Sequence, residues 1–232
     1  MRRGFIVSAL LLVAGSAVAA SPSKSETRRI GDAASVVREL RSAPDNGIPE
    51  SIWERARCVA VMPDVKKAAF VVGGEFGKGV VSCRTAGGWS APAFLTLEKG
   101  SFGAQIGAES TDLVLLVMNE RGIERLLQDK VTLGADGSVA AGPVGRTGTA
   151  ATDLQLTAEM LSYSRARGVF AGIDLSGGVL RPDNDAGLHV YGHPVASREL
   201  LSGKPGERMP SAANPFIAAL NGTPSAPKHG AR

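Results

Sequence analysis

The chain has 232 residues, 44% of which are hydrophobic, and a formal net charge of +4. Its length fits one domain with tails, and its hydrophobic content is ordinary for a soluble globular protein. The net charge is too small for the basic stripes by which proteins bind nucleic acids.

The N-terminus has the three parts of a secretory signal peptide. Arg2 and Arg3 form the charged part, Phe5–Ala14 the apolar part, and Ala17–Ala19 a cleavage site of small residues. Removing residues 1–20 leaves 24 basic and 22 acidic residues, a formal net charge of +2. Retention of the segment as an uncleaved anchor is the alternative, although it is short for a span of about 20 residues. We expect an exported protein, periplasmic or envelope-associated.

Two helices are predicted before the first strand. Within Glu26–Arg41, the apolar residues of Ile30–Leu40 recur on one face of a helix. Pro44–Gly47 is expected to end this helix, and Pro49 suits the first turn of a short second helix around Trp53.

A glycine-punctuated sheet is predicted next. It begins at Cys58–Met62, after which Pro63-Asp64 is expected to turn the chain. Later β-branched and aromatic runs are separated by Gly-Gly, Gly-Lys-Gly and Lys-Gly-Ser, which we interpret as turns. These runs are Ala68–Val72, Val80–Cys83, Ala93–Leu97 and Leu113–Val117. Such frequent glycines disfavour helices, so the pattern predicts an antiparallel meander.

Helices and strands are mixed in the second half of the predicted fold. Asn119 can cap a helix that runs to about Gln128, and Val131–Leu133 and Val139–Ala141 flank Ala135-Asp136-Gly137 as a hairpin. Further predicted segments are strands at Leu154–Tyr163, Gly168–Asp174 and Gly177–Leu180, a polar break at Pro182–Asp185 before Leu188–Tyr191, helical turns at Ser197–Leu201 and Ala212–Leu220, and a disordered end from Thr223 to Arg232. The predicted fold class is α+β, a predominantly antiparallel curved sheet, sandwich or barrel-like, with helices packed at its ends.

The chain has two cysteines, Cys58 and Cys83. In an exported protein an isolated pair is most simply a disulfide. Two free buried thiols are the alternative.

Known enzyme signatures are missing from the sequence. The histidines are His189, His193 and His229, and no Gly-x-Ser-x-Gly or His-Glu-x-x-His motif occurs. Gly73–Gly79 lacks the spacing of a phosphate-binding loop, so a β-turn is the better interpretation. Asp183–Asp185 offers too few oxygen ligands for calcium and is interpreted as a solvated turn. We therefore predict no catalytic residue, no metal site and no cofactor.

Seven motifs in order resemble the SYLF domain family: Pro63–Ala68, Gly73–Gly79, Gly88–Pro92, Gly103–Asp112, Pro143–Arg146, Tyr163–Gly172 and Tyr191–Gly192. The resemblance covers roughly Ile30 to Leu201, which gives a SYLF-like domain over 21–201 and a C-terminal extension over 202–232. It implies lipid binding, of phosphoinositides in eukaryotic members and with actin binding in some fungal ones, and it implies no enzymatic activity.

The candidate lipid-binding residues are Lys66, Lys67 and Lys78, which are predicted to lie on adjoining turns. Lysines near a charged membrane attract anionic headgroups. Solvated charges that protect sheet edges are the alternative interpretation. A second membrane candidate is the Ile30–Leu40 face of the first helix, for which packing on the sheet is an equal alternative.

The expected partner of this exported, non-catalytic protein is an anionic lipid or membrane surface of the bacterial envelope, and nucleic acid is not expected. Actin is not an expected partner, because export removes the protein from cytoplasmic actin. A structural or protein-interaction module of the envelope without lipid affinity is the alternative function. Among Asp112, Arg146 and Arg167, which lie in the family-like motifs, we expect at least one buried and ion-paired arginine.

Overall fold

The computed structural model describes residues 23–43, 47–70, 72–102, 107–134, 138–145, 157–166, 169–203 and 209–222. The helices of these segments are α1 (Lys24–Ser42), α2 (Glu50–Arg55), α3 (Glu120–Leu126), α4 (Asn184–Tyr191), α5 (Ser197–Leu201) and α6 (Asn214–Leu220), with a 3-10 turn at Ser211–Ala213. The strands are β1 (Cys58–Phe70), β2 (Val72–Thr85), β3 (Gly88–Trp89), β4 (Ala93–Phe102), β5 (Gly107–Val117), β6 (Val131–Thr132), β7 (Val139–Ala141), β8 (Met160–Ala166), β9 (Val169–Gly172) and β10 (Val179–Pro182).

The strands form one strongly curled sheet in the order β6-β10-β4-β2-β1-β5-β8-β7, with β3 beside β2 and β9 beside β8. All of its pairs are antiparallel except β7 with β8. The β1–β2 hairpin lies between β4 and β5, so the end of β4 and the start of β5 lie at the same end of the sheet as the end of β1 and the start of β2. The predicted α+β class with a curved, mostly antiparallel sheet is confirmed as a half-barrel.

The two faces of the sheet bury two separate apolar clusters. One face, here called the helix-covered face, packs Val59, Val80 and Leu116 against α1 and α6. The other, here called the inner face, joins residues from both edges of the sheet, among them Val131 and Val139. A curled sheet encloses its inner face, so side chains from distant strands meet there.

Helix α1 agrees with its sequence prediction. Its N-cap is Ser23, whose hydroxyl oxygen accepts a hydrogen bond from the N–H of Ser25, and Glu26 lies in its first turn. Its buried residues include Ile30, Val37 and others of the predicted apolar face. The predicted face therefore packs within the domain and covers a face of the sheet rather than an end.

We predicted that Pro63-Asp64 turns the chain, and this prediction is wrong. The two residues form a bulge inside β1. Asp64 has a φ of 55° there. Opposite the bulge, a Cβ on Gly77 would lie 2.6 Å from a Val65 methyl, and one on Gly79 would collide with β1. The Gly-Lys-Gly segment is thus strand in which glycine permits close approach, not a turn.

The predicted hairpin of Val131–Leu133 and Val139–Ala141 is wrong. β6 pairs with β10 and β7 pairs with β8, so the two segments lie at opposite edges of the sheet. Ala135-Asp136-Gly137 and residues 154–156 of the predicted Leu154–Tyr163 strand lie outside the described residues, and β8 begins at Met160.

The folded region continues beyond the expected boundary at Leu201. The α6 residues Phe216 and Leu220 are 0% and 1% exposed, and they belong to the same apolar cluster as α1. α6 therefore completes the core on the helix-covered face. The predicted disordered end, Thr223 to Arg232, lies outside the described residues.

Cys58 and Cys83 form a disulfide, as predicted, between directly paired positions of β1 and β2. Both residues are buried on the inner face. The bond joins the start of β1 to β2 near its end, far along both strands from their common turn.

Reduction of this disulfide is expected to lower the free energy of unfolding by about 3 kcal/mol, because the bond restricts the unfolded chain over a loop of this length. Urea unfolding with and without reductant measures the difference. The intact mass of the oxidised protein should be two hydrogens lower than that of the reduced protein, and full thiol labelling of both cysteines without reductant would contradict the assignment.

Candidate functional site

The three predicted site lysines lie in strands and not on turns. Lys66 and Lys67 lie in β1, and Lys78 lies in β2. Because side chains alternate between faces along a strand, Lys66 and Lys67 point to opposite faces. The predicted placement on adjoining turns is therefore wrong, while the proposed role in lipid binding stays a prediction.

Lys66 and Lys78 share the helix-covered face with an exposed aromatic residue. Phe76 is paired with Lys66 across β1 and β2, and Lys78 follows two residues later on the same face. Phe76 is 46% exposed, and the Lys66 and Lys78 side chains are 63% and 46% exposed. The result is a surface with one aromatic ring between two ammonium groups.

Lys78 also belongs to a buried ion network that joins three elements. Asp183 Oδ2 lies 2.9 Å from Arg29 Nη1 of α1 and 3.1 Å from Lys78 Nζ of β2. The Asp183 side chain is 7% exposed, and its other oxygen caps α4 by accepting the N–H of Ala186. Burial alone would raise the pKa of Asp183, but the hydrogen bonds from Arg29 and Lys78 outweigh it and hold this pKa below its ordinary value.

Lys66 is paired with the carboxylate of Asp64 at the bulge of β1. Hydrogen bonds from Lys66 and from the Ser110 hydroxyl hold the pKa of Asp64 below its ordinary value. The backbone N–H of Asp64 donates to Asp112 Oδ1 at 2.9 Å. The bulge is thus fastened to β5 by a side chain, which stabilises its left-handed backbone.

Asp112 is ion-paired with Arg165, which the sequence analysis did not single out. Arg165 Nη2 lies 2.6 Å from Asp112 Oδ2, and the same guanidinium contacts Glu39 of α1. Arg146 and Arg167, at least one of which we predicted to be buried and ion-paired, lie outside the described residues. Arg165 lies opposite Asp112 because β5 pairs with β8, and the sequence analysis did not predict this pairing.

Lys67 lies in a row of alternating charges on the other face. Lys67 Nζ is 3.7 Å from Glu75 Oε1, and Glu75 is paired in turn with Lys99 of β4. On its other side, Lys67 is paired in register with Glu109 of β5. The row Lys99, Glu75, Lys67, Glu109 therefore crosses four neighbouring strands, and its formal charges sum to zero.

The histidines and acidic residues that we considered for catalysis and calcium binding contact other residues of the domain. His189 Nδ1 lies 3.9 Å from Glu26 Oε1, and His193 contacts the carbonyl oxygen of Pro194. Asp183 is buried rather than in the solvated turn that we predicted. Within the described segments, no group of three or more His, Cys, Asp or Glu residues is arranged to hold a metal ion.

A cleft of about 590 Å³ lies beside α4 and α5. Its walls include Leu188, which is 42% exposed, together with the acidic residues Asp129 and Asp185 and the basic residue Arg198. It is separate from the lysine-bearing strands.

A family model described as "Ysc84: Las17-binding protein actin regulator" matches residues 98–223, which is more than half of the chain. The chain belongs to the Ysc84 family. This is the SYLF family that the sequence motifs resemble, so the predicted family is confirmed. The match to the family model begins at residue 98. Lys66, Lys67, Lys78 and the Cys58–Cys83 disulfide precede it.

Three relatives of this Ysc84-family chain, all of them eukaryotic, are longer than it. The "SH3 domain-containing protein PJ696.02" of Schizosaccharomyces pombe is 36% identical over 75% of this chain and 41% of its own length. "Protein YSC84" of Saccharomyces cerevisiae is 32% identical over 85% of this chain and 43% of its own length. The "SH3 domain-containing YSC84-like protein 1" of Xenopus laevis is 34% identical over 78% and 55%. The Ysc84-family chain thus spans about half or less of these relatives.

The family description names actin regulation, whereas our sequence analysis did not expect actin as a partner. That expectation depends on export and stays a prediction. In the described part of this Ysc84-family chain, no helix has both the length and the apolar character needed to cross a bilayer.

Proposed function

We propose that this protein is exported to the bacterial envelope and binds lipid surfaces there, with anionic headgroups as the ligand class and without catalysis. The observation that supports it best is the exposed Phe76 between Lys66 and Lys78 on the helix-covered face. Phe is among the apolar residues that interfacial segments bury at the boundary between headgroups and acyl chains, and lysines attract headgroup phosphates.

The ion pairs of these lysines limit what charge alone contributes. Lys66 is close to Asp64, and Lys78 shares Asp183 with Arg29. Phosphate oxygens compete with carboxylates that are already in place, so each lysine contributes at most about 1 kcal/mol. The apolar ring of Phe76 is therefore needed to explain a stable attachment.

Co-sedimentation of the chain from Ser21 with vesicles tests this function. We expect binding to phosphatidylglycerol vesicles in 0.1 M salt, weakened by up to about 2 kcal/mol in the double variant Lys66→Gln/Lys78→Gln. Arg121→Gln, on exposed α3 at the opposite end of β5, is the matched charge control. Absence of wild-type binding to every vesicle composition would exclude the function.

A second candidate is protein binding in the envelope, favoured by the family description as an actin regulator. Co-sedimentation with actin filaments and light scattering of the protein alone test it. Filament binding, or a stable oligomer combined with no lipid affinity, would favour this candidate over lipid binding.

A further inference from the structure

One cation close to the exposed lysines has no acidic partner. Arg181 of β10 is exposed, and in the described segments no carboxylate forms an ion pair with it. Lys66 is paired with Asp64, and Lys78 is paired with Asp183. An incoming anion therefore competes with a carboxylate at each lysine, whereas at Arg181 it meets a guanidinium group that is not already paired.

The strand register places Arg181 beside Lys78. Lys78 of β2 is paired with Thr96 of β4, and Thr96 is paired in turn with Arg181. Leu180 is buried on the inner face, so the next residue, Arg181, points to the helix-covered face, as Lys78 does. Neighbouring strands are about 4.8 Å apart, so the backbones of Lys78 and Arg181 lie about 10 Å apart with the Thr96 side chain between them.

The contact with Asp183 directs the Lys78 ammonium toward Arg181. To reach Asp183, the Lys78 side chain crosses β4, and Asp183 follows Arg181 by only two residues. An ammonium group has three donors, and one is enough for Asp183 Oδ2 at 3.1 Å. Because Asp183 also serves Arg29, this network has a formal charge of +1, to which Arg181 adds a second positive charge.

We propose that Arg181, Thr96 and Lys78 form a subsite for one headgroup phosphate, with Arg181 as its main contact. A guanidinium group can donate two parallel hydrogen bonds to phosphate oxygens, and the Thr96 hydroxyl and the Lys78 ammonium can donate to the remaining ones. This inference rests on the proposed lipid-binding function and names the residues that recognise its anionic ligand.

The neighbouring row favours a lipid over a soluble phosphate. The exposed Phe76 lies two residues before Lys78 on the same face, and it is paired with Glu98 of β4. An apolar ring beside a phosphate subsite suits a molecule in which the phosphate is joined to an apolar part. The exposed Glu98 repels anions from its own row, which leaves the row of Thr96 as the position of the phosphate.

Removal of the Arg181 charge tests the main contact. Arg181→Gln should lower the partition coefficient for phosphatidylglycerol vesicles in 0.1 M salt about tenfold, because hydrogen bonds to charged groups are among the strong ones. Lys66→Gln should lower it less, since Asp64 already balances the Lys66 charge. Arg121→Gln, the control at the other end of β5, should lower it less than about twofold.

Two variants that keep the net charge separate a subsite from diffuse attraction. Arg181→Lys retains the charge but loses the paired donors, so it should bind vesicles about threefold less tightly than the wild type. Thr96→Val removes only a hydroxyl from a strand position and should have an effect of similar size. Thermal unfolding of both variants checks that the domain is folded.

Glycerol phosphate carries the same chemical group without acyl chains. At millimolar concentrations it should shift the amide NMR signals of Thr96 and Arg181 in the wild type but not in Arg181→Gln. Vesicles should bind at least about tenfold more tightly per accessible phosphate, because they also offer an apolar region to Phe76. Equal affinity for the two would overturn the assignment to a lipid headgroup.

The outcomes separate this subsite from the proposed function. If the wild type binds no vesicle, lipid binding fails and the headgroup subsite fails with it, even where glycerol phosphate shifts the two signals. If vesicles bind the wild type and all Arg181 and Thr96 variants equally well, the subsite is wrong and lipid binding stands. A loss in Arg181→Gln with no loss in Arg181→Lys or Thr96→Val would also overturn the subsite, because diffuse charge would then account for the binding.

Discussion

Replacing Asp183 with alanine is expected to lower the free energy of unfolding by about 3–5 kcal/mol. The substitution leaves Arg29, whose side chain is 10% exposed, without the carboxylate that balances its charge. It also removes the side-chain cap of α4. Urea unfolding followed by circular dichroism measures the loss.

Two matched variants define the cause of this loss. Asp185→Ala changes an exposed carboxylate of the same helix and should shift stability by no more than about 0.5 kcal/mol. Lys78→Ala should cost less than Asp183→Ala, because water screens its half-exposed ammonium. A loss below about 1 kcal/mol in Asp183→Ala would show that the network does not hold α1, β2 and α4 together.

The same network has a predictable pH dependence. The pKa of Asp183 is lowered in the folded protein, so its contribution is present above the unfolded pKa of about 3.9 and is lost as the pH falls through the folded value. The stability difference between wild type and Asp183→Ala should therefore be constant near neutral pH and shrink below about pH 4.

Phe216→Ala should be comparably damaging, with a loss of about 3–5 kcal/mol, because its ring is fully buried between α6 and the remaining core. Ile217, next to it, is partly buried, so Ile217→Ala should cost less. If the domain ended at Leu201, both variants would be as stable as the wild type in thermal unfolding.

The sequence predicted correctly those helices and strands that are determined by residues close together in the chain. The helical spacing of Ile30–Leu40 and the cap at Asn119 are signals within a few residues, and both are present in the structure. The runs Val80–Cys83, Ala93–Leu97 and Leu113–Val117 also lie within strands, whereas Ala68–Val72 is divided between the end of β1 and the start of β2. Each of these signals involves residues that are only a few positions apart in the sequence.

Partners distant in sequence could not be predicted in this way. Val131 and Val139 resemble two arms of a hairpin, but they lie at opposite edges of the curled sheet and each has a different partner strand. Gly77 and Gly79 resemble a turn, and only the bulge opposite them explains why a strand needs them. At the candidate site, Lys66 and Lys67 lie on opposite faces because side chains alternate along β1. This arrangement could not be predicted while the two lysines were assigned to a turn.

The central place of the β1–β2 pair favours an order of assembly. β1 and β2 follow each other in the chain and pair directly, whereas β4 and β5 pair on the outer sides of β2 and β1. Short hairpins close in about 1–10 μs, and pairings between more distant segments follow more slowly. As the chain emerges N-terminus first, its first 85 residues already contain β1, β2 and both cysteines. The sheet can thus grow outward from its middle, on a central hairpin whose two strands the disulfide joins.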